Sequence, residues 1–500
     1  MTRRPVVWRI DGRDSGGAAE LDAEQRAAAA FGVHLCPVRA SVPTHLIEAQ
    51  LRALAEDVPP QVIKIGMIDD AAHIRLLASW IDRLRCQAPV ALVLDPVLAD
   101  PATLQAYREL LPRATLVTAN RREARLLVPT TTADTPQAQA RALCQLGAAA
   151  VCITGGDSDD DAGQALDWLD SEHAAGWMTA PRLATAPKHS AGSSFATGAA
   201  AALALGFVAA DAVLLAEMWA TNAIRHGHAT ATDASFACDP TLLPTLSWGE
   251  QISPLPLLAS AAATPLRQLG LYAIVDSTER LQQVLAAGVR SVQLRIKTPA
   301  APDAAWHAAL RSAIARSIDA CRAAGAELFI NDHWQLARDL GASGVHLGQE
   351  DLLALGEAGR AELCASGLAL GISSHSLWEL CRARALSPRY IACGPVWPTL
   401  TKDMPWRPQG LHNLAWWRVM AQRPVVAIGG ILNPEQVHAA ASCGVDGVCI
   451  VRALGDDPAA TLPALLGAFD SGHKLASAAD CPILPQPSLT PGLGAKEIQT

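Results

Sequence analysis

The sequence predicts two α/β domains in tandem, a doubly wound sheet domain followed by a (β/α)8 TIM barrel. Three observations carry this prediction. Eight short β-rich runs alternate with Ala- and Leu-rich stretches of helical apolar spacing in the second half. Six strand-like runs separated by helical stretches occupy the first half. Between the halves, Asp239 to Pro265 carries Pro240, Pro244, Pro254, Pro256 and Pro265 without a steady apolar period. The expected organisation is a domain over 1–238, a Pro-rich linker over 239–267, a barrel over 268–470 and a disordered, Pro-containing tail over 471–500.

In order, the first-domain strands start at Val6, His34, Val62, Ala91, Thr115 and Ala149. The barrel strands start at Leu269, Ser291, Leu328, Gly344, Ala369, Tyr390, Pro424 and Gly447. Helices over Thr278 to Ala287, Asp303 to Ala324 and Pro434 to Ser442 lie between them. The apolar run Gly198 to Ala210 reads as one buried helix, too short to cross a bilayer.

Composition narrows the function. The chain has 500 residues, half of them hydrophobic and 18% charged, which excludes wholesale disorder. Its net charge of −8 provides no general basic field for nucleic acid or an anionic membrane, so an anionic small molecule must meet a local cluster. Arg3 and Arg4 are followed by no signal-peptide hydrophobic region, and a cytoplasmic location is expected. The twelve cysteines lack metal spacing and read as reduced core residues. A homo-oligomer stays open.

In such a barrel the chemistry sits at the C-terminal strand ends. The second strand ends in Gln293, Arg295 and Lys297, alternate positions that share one face and suit a polyphosphate beside a heteroaromatic ring; the competing reading is an ion-paired interior. Asn331 and Asp332 end the third strand, and Gln349, Glu350 and Asp351 follow the fourth. Asp332 and Asp351 suit Mg²⁺, which takes a few carboxylates and fills its remaining positions with water and phosphate oxygens; helix N-capping is the alternative for each. The loop after the sixth strand offers Thr399, Thr401 and Lys402. Gly429 and Gly430, then Val451 and Arg452, mark the places where barrels seat a monophosphate. His333, His346 and His375 read as supporting or packing residues, as do Trp397, Trp406, Trp416 and Trp417.

The ordered set of Tyr272 to Asp276, QLRIK, FINDH, GVHLGQEDL, GISSHS, GPVWPTLTK and VVAIGGI, covering Leu269 to Leu454, resembles thiamine-phosphate synthase. The resemblance implies condensation of 4-amino-2-methyl-5-hydroxymethylpyrimidine diphosphate with thiazole phosphate. Thiamine phosphate and pyrophosphate are the implied products. It further implies that Gln293, Arg295, Lys297 and Asn331 contact the pyrimidine diphosphate, that Asp332 and Asp351 hold Mg²⁺, and that Ser373 lies by the pyrimidine ring. Thr399 and Thr401 would face the thiazole phosphate, and Lys402 the pyrophosphate. Gly430, Val451 and Arg452 would form the second phosphate pocket. Arg295, Lys297 and Lys402 would carry the catalysis. Many members have Ser where Arg452 stands. The thiazole tautomerase branch shares the barrel but generally lacks the diphosphate-binding set, and sugar-isomerising barrels share only the Gly-Gly turn.

The first half, through IKIGM, LVLDPV, TANRREA, ITGG and HSAGSSFATGAA, resembles hydroxymethylpyrimidine phosphate kinase of the ribokinase-like fold. Asn120 with Glu123, Gly155, Gly192 and Ser193 are the nucleotide or anion candidates that this implies, with ATP as the cofactor. Four features depart from the family pattern. Thr154 replaces the lysine of Lys-Gly-Gly, and His189 to Ser193 replace His-Gly-Thr-Gly-Cys. The loop after Val38 is short, and the glycine loop GRDSGGAAE lacks one residue. These departures favour a domain that has weakened or lost kinase activity and serves as a structural or regulatory partner; a fully bifunctional enzyme is the alternative.

Overall fold

The computed structural model describes residues 4–12, 18–97, 101–128, 134–155, 163–183, 191–226, 236, 238–252, 268–399, 405–476 and 481–489. They form two compact units, one running to Ile252 together with Leu489, the other from Gln268 to Ser488.

The first unit is built on a nine-stranded sheet of order β2-β1-β3-β4-β5-β6-β7-β8-β9. Its parallel part comprises β1 (Val6–Asp11), β2 (His34–Arg39), β3 (Val62–Ile65), β4 (Ala91–Leu94), β5 (Leu116–Asn120) and β6 (Ala150–Thr154), the six strands expected from sequence. Three antiparallel strands extend it: β7 (Gln164–Ser171), β8 (Ala175–Pro181) and β9 (Thr245–Leu246). Ile63 and Ile65 of β3 join the apolar core that also takes Ile74, Leu77 and Trp80 of the helix Ala71–Arg85. Lys64, alternating with them, reaches Glu24 of the helix Ala18–Ala30 on the opposite face.

Part of the expected linker belongs to this sheet. Thr245 and Leu246 pair with Thr179 and Met178, and Leu242, Leu243 and Trp248 are buried. Pro244 precedes the strand, so it removes no ladder donor. Residues 253–267 lie outside the described set. The apolar run Gly198 to Ala210 is likewise not one helix. The helix Ala191–Ala204 closes through the Phe207 N–H on the Ala202 carbonyl, Gly206 turns the chain at φ 94°, and a new helix spans Ala209–His226.

The second unit is a closed parallel barrel of β10 (Gly270–Val275), β11 (Ser291–Leu294), β12 (Glu327–Asn331), β13 (Gly344–Leu347), β14 (Ala369–Ser374), β15 (Tyr390–Cys393), β16 (Val425–Ala427) and β17 (Gly447–Ile450). All eight coincide with the expected runs. Tyr272, Ile274, Phe329, Tyr390, Ala392, Val426 and Cys449 fill its interior. A Cβ on Gly371 would lie 2.4 Å from the Tyr390 ring, so only glycine leaves room there for the tyrosine.

The expected disordered tail over 471–500 is corrected for its described part, while residues 477–480 and 490–500 lie outside the described set. The last helix runs over Pro458–Lys474, and residues 481–488 lie along the barrel. The Arg407 N–H donates to the Ser488 carbonyl at 2.8 Å, while the Asn413 amide exchanges hydrogen bonds with the Gln486 backbone at 2.7 and 3.0 Å. A side-chain amide thus pairs an extended segment whose prolines carry no N–H of their own. Ten cysteines are free thiols, but Cys238 and Cys481 are disulfide-bonded, a departure that spacing along the chain could not reveal. Among the described residues no helix is long and apolar enough to cross a membrane.

Candidate functional site

At the barrel mouth the third and fourth strand ends place carboxylates beside a cation. Asp332 follows β12 at φ 65°, its N–H donating to the His346 carbonyl at 3.1 Å. Partial burial and then the charge of Asp351 raise its pKa, while His333, Arg295 and a hydrogen bond from Asn331 oppose the rise. The charge of Asp351 therefore reaches Asp332 across the mouth. Asp351 stands in the first turn of the helix Gln349–Ala354 and accepts the Gly348 N–H at 3.0 Å, so the capping role weighed for it is real. Asp332 caps nothing: the residue at the helix start is His333.

Arg295 lies just past β11, exposed, and its charge acts on both Asp332 and His346. Lys297 is exposed two residues further on. Among the described residues neither forms an ion pair, which sets aside the ion-paired interior. Gln293 is buried, and its amide nitrogen donates to the Tyr272 hydroxyl at 3.3 Å. Asn331 is buried opposite His346 in register.

Ser373 of β14 shares a 2.9 Å hydrogen bond with His346 Nε2. On the other side of the ring, Nδ1 meets the Tyr390 hydroxyl at 2.8 Å, and Tyr390 meets Tyr272 at 2.8 Å. Burial, then the positive charges of Arg295 and His375, push the His346 pKa down to about 4. His346 is thus neutral at neutral pH and hydrogen-bonded through both ring nitrogens, the supporting rather than the packing half of the expectation. Its sequence signal was present, since it alternates with Gly344 onto the inner face of β13. His375 fits the supporting role expected of it: it is held by Glu379 at 2.9 Å and stacks on Trp406 at 5.2 Å.

On the other side of the mouth, Gly429 and Gly430 take φ of 89° and 71°. A Cβ on Gly430 would meet the Trp397 carbonyl oxygen at 2.5 Å, so glycine lets this turn press against the loop after β15. The Trp397 N–H donates to the Gly429 carbonyl at 3.1 Å, and Thr399 lies half-buried two residues on. Thr401 and Lys402 fall outside the described residues. Val451 and Arg452 are exposed at the end of β17, where a short 3-10 turn over Arg452–Leu454 begins.

In the first unit, Asn120, Glu123, Gly192 and Ser193 line one cavity of about 340 Å³, with Thr154 beside them. Asn120 and Glu123 form a reciprocal capping box at 2.9 and 3.0 Å, and the Gly155 N–H donates to Asp167 at 2.8 Å. Ser193 donates its hydroxyl to Glu20 at 2.6 Å. The cavity carboxylates are Asp95, Glu123, Asp167 and Glu217, and Arg182 is the one Lys or Arg among its described lining residues. Asp95 is partly compensated by Lys64 at 3.4 Å. Gly156, His189, Ser190 and the acidic run Asp157 to Asp161 fall outside the described residues.

Asp167 and Glu217 interact directly, and burial followed by the Asp167 charge pushes the Glu217 pKa up to about 8. A carboxyl whose folded pKa is raised holds its proton in the folded state when the unfolded chain has lost it. Stability therefore falls as pH rises from the ordinary carboxylate range to about 8. Glu217→Gln is expected to flatten that fall and to raise the melting temperature at pH 8 by roughly 2–4 °C. Equal pH slopes for variant and wild type in calorimetry would contradict the buried pair.

Residues 271–454 match the family model described as thiamine monophosphate synthase, and residues 32–235 match that of phosphomethylpyrimidine kinase. The thiamine-phosphate synthase of Rhizobium etli is 44% identical over 188 residues, which span 37% of this chain and 87% of that protein. The enzyme of that name from Serratia proteamaculans is 46% identical over 197 residues, spanning 39% of this chain and 88% of that protein. A Bacillus subtilis pyridoxal kinase solved as an ADP complex is 27% identical, with a TM-score of 0.41 over 45% of this chain and 92% of that one.

Proposed function

We infer the reaction from the premise that the chain belongs to the thiamine-phosphate synthase family: its barrel joins 4-amino-2-methyl-5-hydroxymethylpyrimidine diphosphate to thiazole phosphate, releasing pyrophosphate. The chain is an enzyme of thiamine biosynthesis with a kinase-like first unit. What supports the barrel reading is one convergence: Gln293, Arg295, Asn331, Asp332, Asp351 and Ser373 meet at one mouth through the contacts and charges above.

The bond that breaks joins the pyrimidine methylene to the diphosphate, and the one that forms joins that carbon to the thiazole nitrogen. The amino-substituted ring delocalises the cation left on the methylene, so no enzyme nucleophile is needed, and catalysis reduces to positioning and electrostatics. Gln293 and Ser373 hold the ring. Arg295, Lys297 and Lys402 stabilise the charge that grows on the departing diphosphate. Thr399, Thr401, Gly430, Val451 and Arg452 receive the thiazole phosphate. Two carboxylates, with no group of three candidate ligands among the described residues, suit Mg²⁺, which when bound would supply charge neutralisation on the diphosphate and take its other oxygens from phosphate and water. Asp332 and Asp351 would hold it. All of this chemistry uses soluble small molecules, in keeping with a cytoplasmic location and with no nucleic-acid or membrane partner.

The first-unit cavity does not fit a nucleoside triphosphate. Thr154 stands in place of a lysine, the Ser193 hydroxyl is spent on Glu20, and among the described lining residues four carboxyl groups, of which Asp95 is paired with Lys64 and Glu217 keeps its proton, face one guanidinium. No step through ATP is assigned to it. The full chain with Mg²⁺, thiazole phosphate and pyrimidine diphosphate is expected to give thiamine phosphate and pyrophosphate. The same mixture with pyrimidine monophosphate and ATP is expected to give none. Silence in the first arm defeats the synthase reading; product in the second defeats the charge argument and restores the bifunctional enzyme.

A further inference from the structure

The loop after β15 leaves and re-enters the barrel through a closed neck. The Gln409 N–H donates to the Pro395 carbonyl at 2.7 Å, and the Gly410 N–H to the Val396 carbonyl at 2.9 Å. Next to this neck, the Trp397 N–H holds the Gly429 carbonyl at 3.1 Å, so the neck sets where Trp397, the Gly429–Gly430 turn and Thr399 stand. Gln409 is also the centre of a side-chain relay whose polarity is fixed by backbone at both ends. The Gln486 N–H can only donate, so Asn413 turns its oxygen toward it at 2.7 Å. The Asn413 nitrogen then donates to the Gln486 carbonyl at 3.0 Å and to Gln409 Oε1 at 2.8 Å. That leaves Gln409 its own nitrogen, which the His375 carbonyl, an acceptor only, takes at 2.7 Å. Gln409 and Asn413 are each 1% exposed. A second tie runs from the Arg407 N–H, on the returning arm of the loop, to the Ser488 carbonyl at 2.8 Å.

We propose that residues 484–488 are a positioning strap for the thiazole-phosphate pocket: through Asn413 and Gln409 the strap's backbone fixes the neck of the loop after β15, and with it Trp397, Thr399 and the Gly429–Gly430 turn. The proposal rests on the barrel reading and deepens it. The strap lies beyond residue 454, outside the stretch that the family match covers. Its sequence suits the task. Pro485 and Pro487 flank Gln486 and hold the segment extended, and the Gln486 side chain is exposed, so what the strap contributes is backbone. Any other turn of the Asn413 amide would leave buried polar groups unpaired, which is why one N–H on the strap can hold Gln409 two links away. The pyrimidine side is braced separately. There the Gln349 amide donates to the Ser373 carbonyl at 2.8 Å, and Glu379 accepts the His375 N–H at 2.6 Å.

The test compares two variants of one residue in the full chain, assayed with pyrimidine diphosphate, thiazole phosphate and Mg²⁺. Gln486→Pro removes the strap's N–H where the neighbouring prolines already impose an extended backbone, whereas Gln486→Ala removes only the exposed side chain. KM for thiazole phosphate should be about three- to tenfold higher in the proline variant than in the alanine one. Between the two, kcat and KM for pyrimidine diphosphate should agree within about twofold, a split that general destabilisation would not produce. Equal KM values for thiazole phosphate, or a matching rise for both substrates, overturn the proposal. Should Gln486→Pro fail to fold, Arg407→Pro against Arg407→Ala cuts the second tie, at a position that already precedes Pro408, with the same expectation and the same refutation. A failure of the barrel reading itself looks different, since the wild-type chain would then form no thiamine phosphate and have no KM to compare.

Discussion

Asp332→Asn is expected to lower turnover by about a hundred- to a thousandfold while leaving the fold intact. The variant removes a charge and little else. Asp332 sits at φ 65°, a left-handed conformation that asparagine tolerates and alanine resists by roughly 1–2 kcal/mol, so asparagine is the cleaner replacement. Its backbone N–H keeps the His346 carbonyl, and no helix cap is lost because the carboxylate caps nothing. What disappears is half of a carboxylate pair, at the position where burial and then the charge of Asp351 raise the Asp332 pKa. If that pair holds Mg²⁺ against the diphosphate, more of the ion should be needed for half-maximal rate, and saturating it should restore only part of the turnover. Steady-state rates across a Mg²⁺ titration, with melting temperature as the control, check this. Near-normal turnover at ordinary Mg²⁺ would remove Asp332 from the mechanism.

The barrel was legible because each strand carries a local signal, and a closed barrel leaves strand ends only one place to go. Hence Gln293, Arg295, Asn331, Asp332, Asp351 and Ser373 could be grouped before any coordinates. The hydrogen bonds among Tyr272, Tyr390 and His346 could not. Nothing local to Tyr272 says that its hydroxyl will meet one 118 residues away, and His346, which lacks a metal-spaced partner, reads only as a supporting or packing residue. Asp351 shows a different limit: one carboxylate serves as a helix-box acceptor and as a candidate ligand, and sequence offers these as rivals. The segment 481–488 was misjudged because its partners, Asn413 and Arg407, are distant side-chain and backbone groups rather than an apolar period.

In the first unit the parallel strands were legible but their antiparallel extension was not. β7 is buried on both faces over Leu166 to Leu169, so it shows no simple alternation, and β9 has only two residues. The buried charges were equally hidden. Lys64 sits mid-strand between isoleucines, and nothing in VIKI indicates whether the lysine reaches solvent or a partner.

It reaches a partner, and its loss should be costly. Lys64→Met is expected to destabilise the protein by about 3–5 kcal/mol, because it strips a buried cation from carboxylates that stay behind. Lys64 is 1% exposed and bonded to Glu24, itself fully buried, with Asp95 at 3.4 Å. Arg9 contacts Glu24 at 2.5 Å and Asp11 at 3.3 Å, and the Thr197 hydroxyl donates to Glu24 at 3.2 Å. Burial opposes the charge on both Lys64 and Glu24, yet each partner outweighs it: the lysine pKa is raised and the glutamate pKa lowered. The glutamate's contribution is present above its ordinary range near 4.5 and lost as pH falls; the lysine's is present below about 10.4 and lost only in strong alkali. The penalty of Lys64→Met should therefore be constant between about pH 6 and 9 and shrink toward pH 4, where the orphaned carboxylates can take up protons. Lys64→Met/Glu24→Gln should recover more than half of it, since Arg9 keeps Asp11. Urea unfolding at several pH values measures both effects. A single variant within about 1 kcal/mol of wild type at pH 7 would mean that water or a shifted side chain already screens the carboxylates, and that β3 does not depend on the lysine's charge.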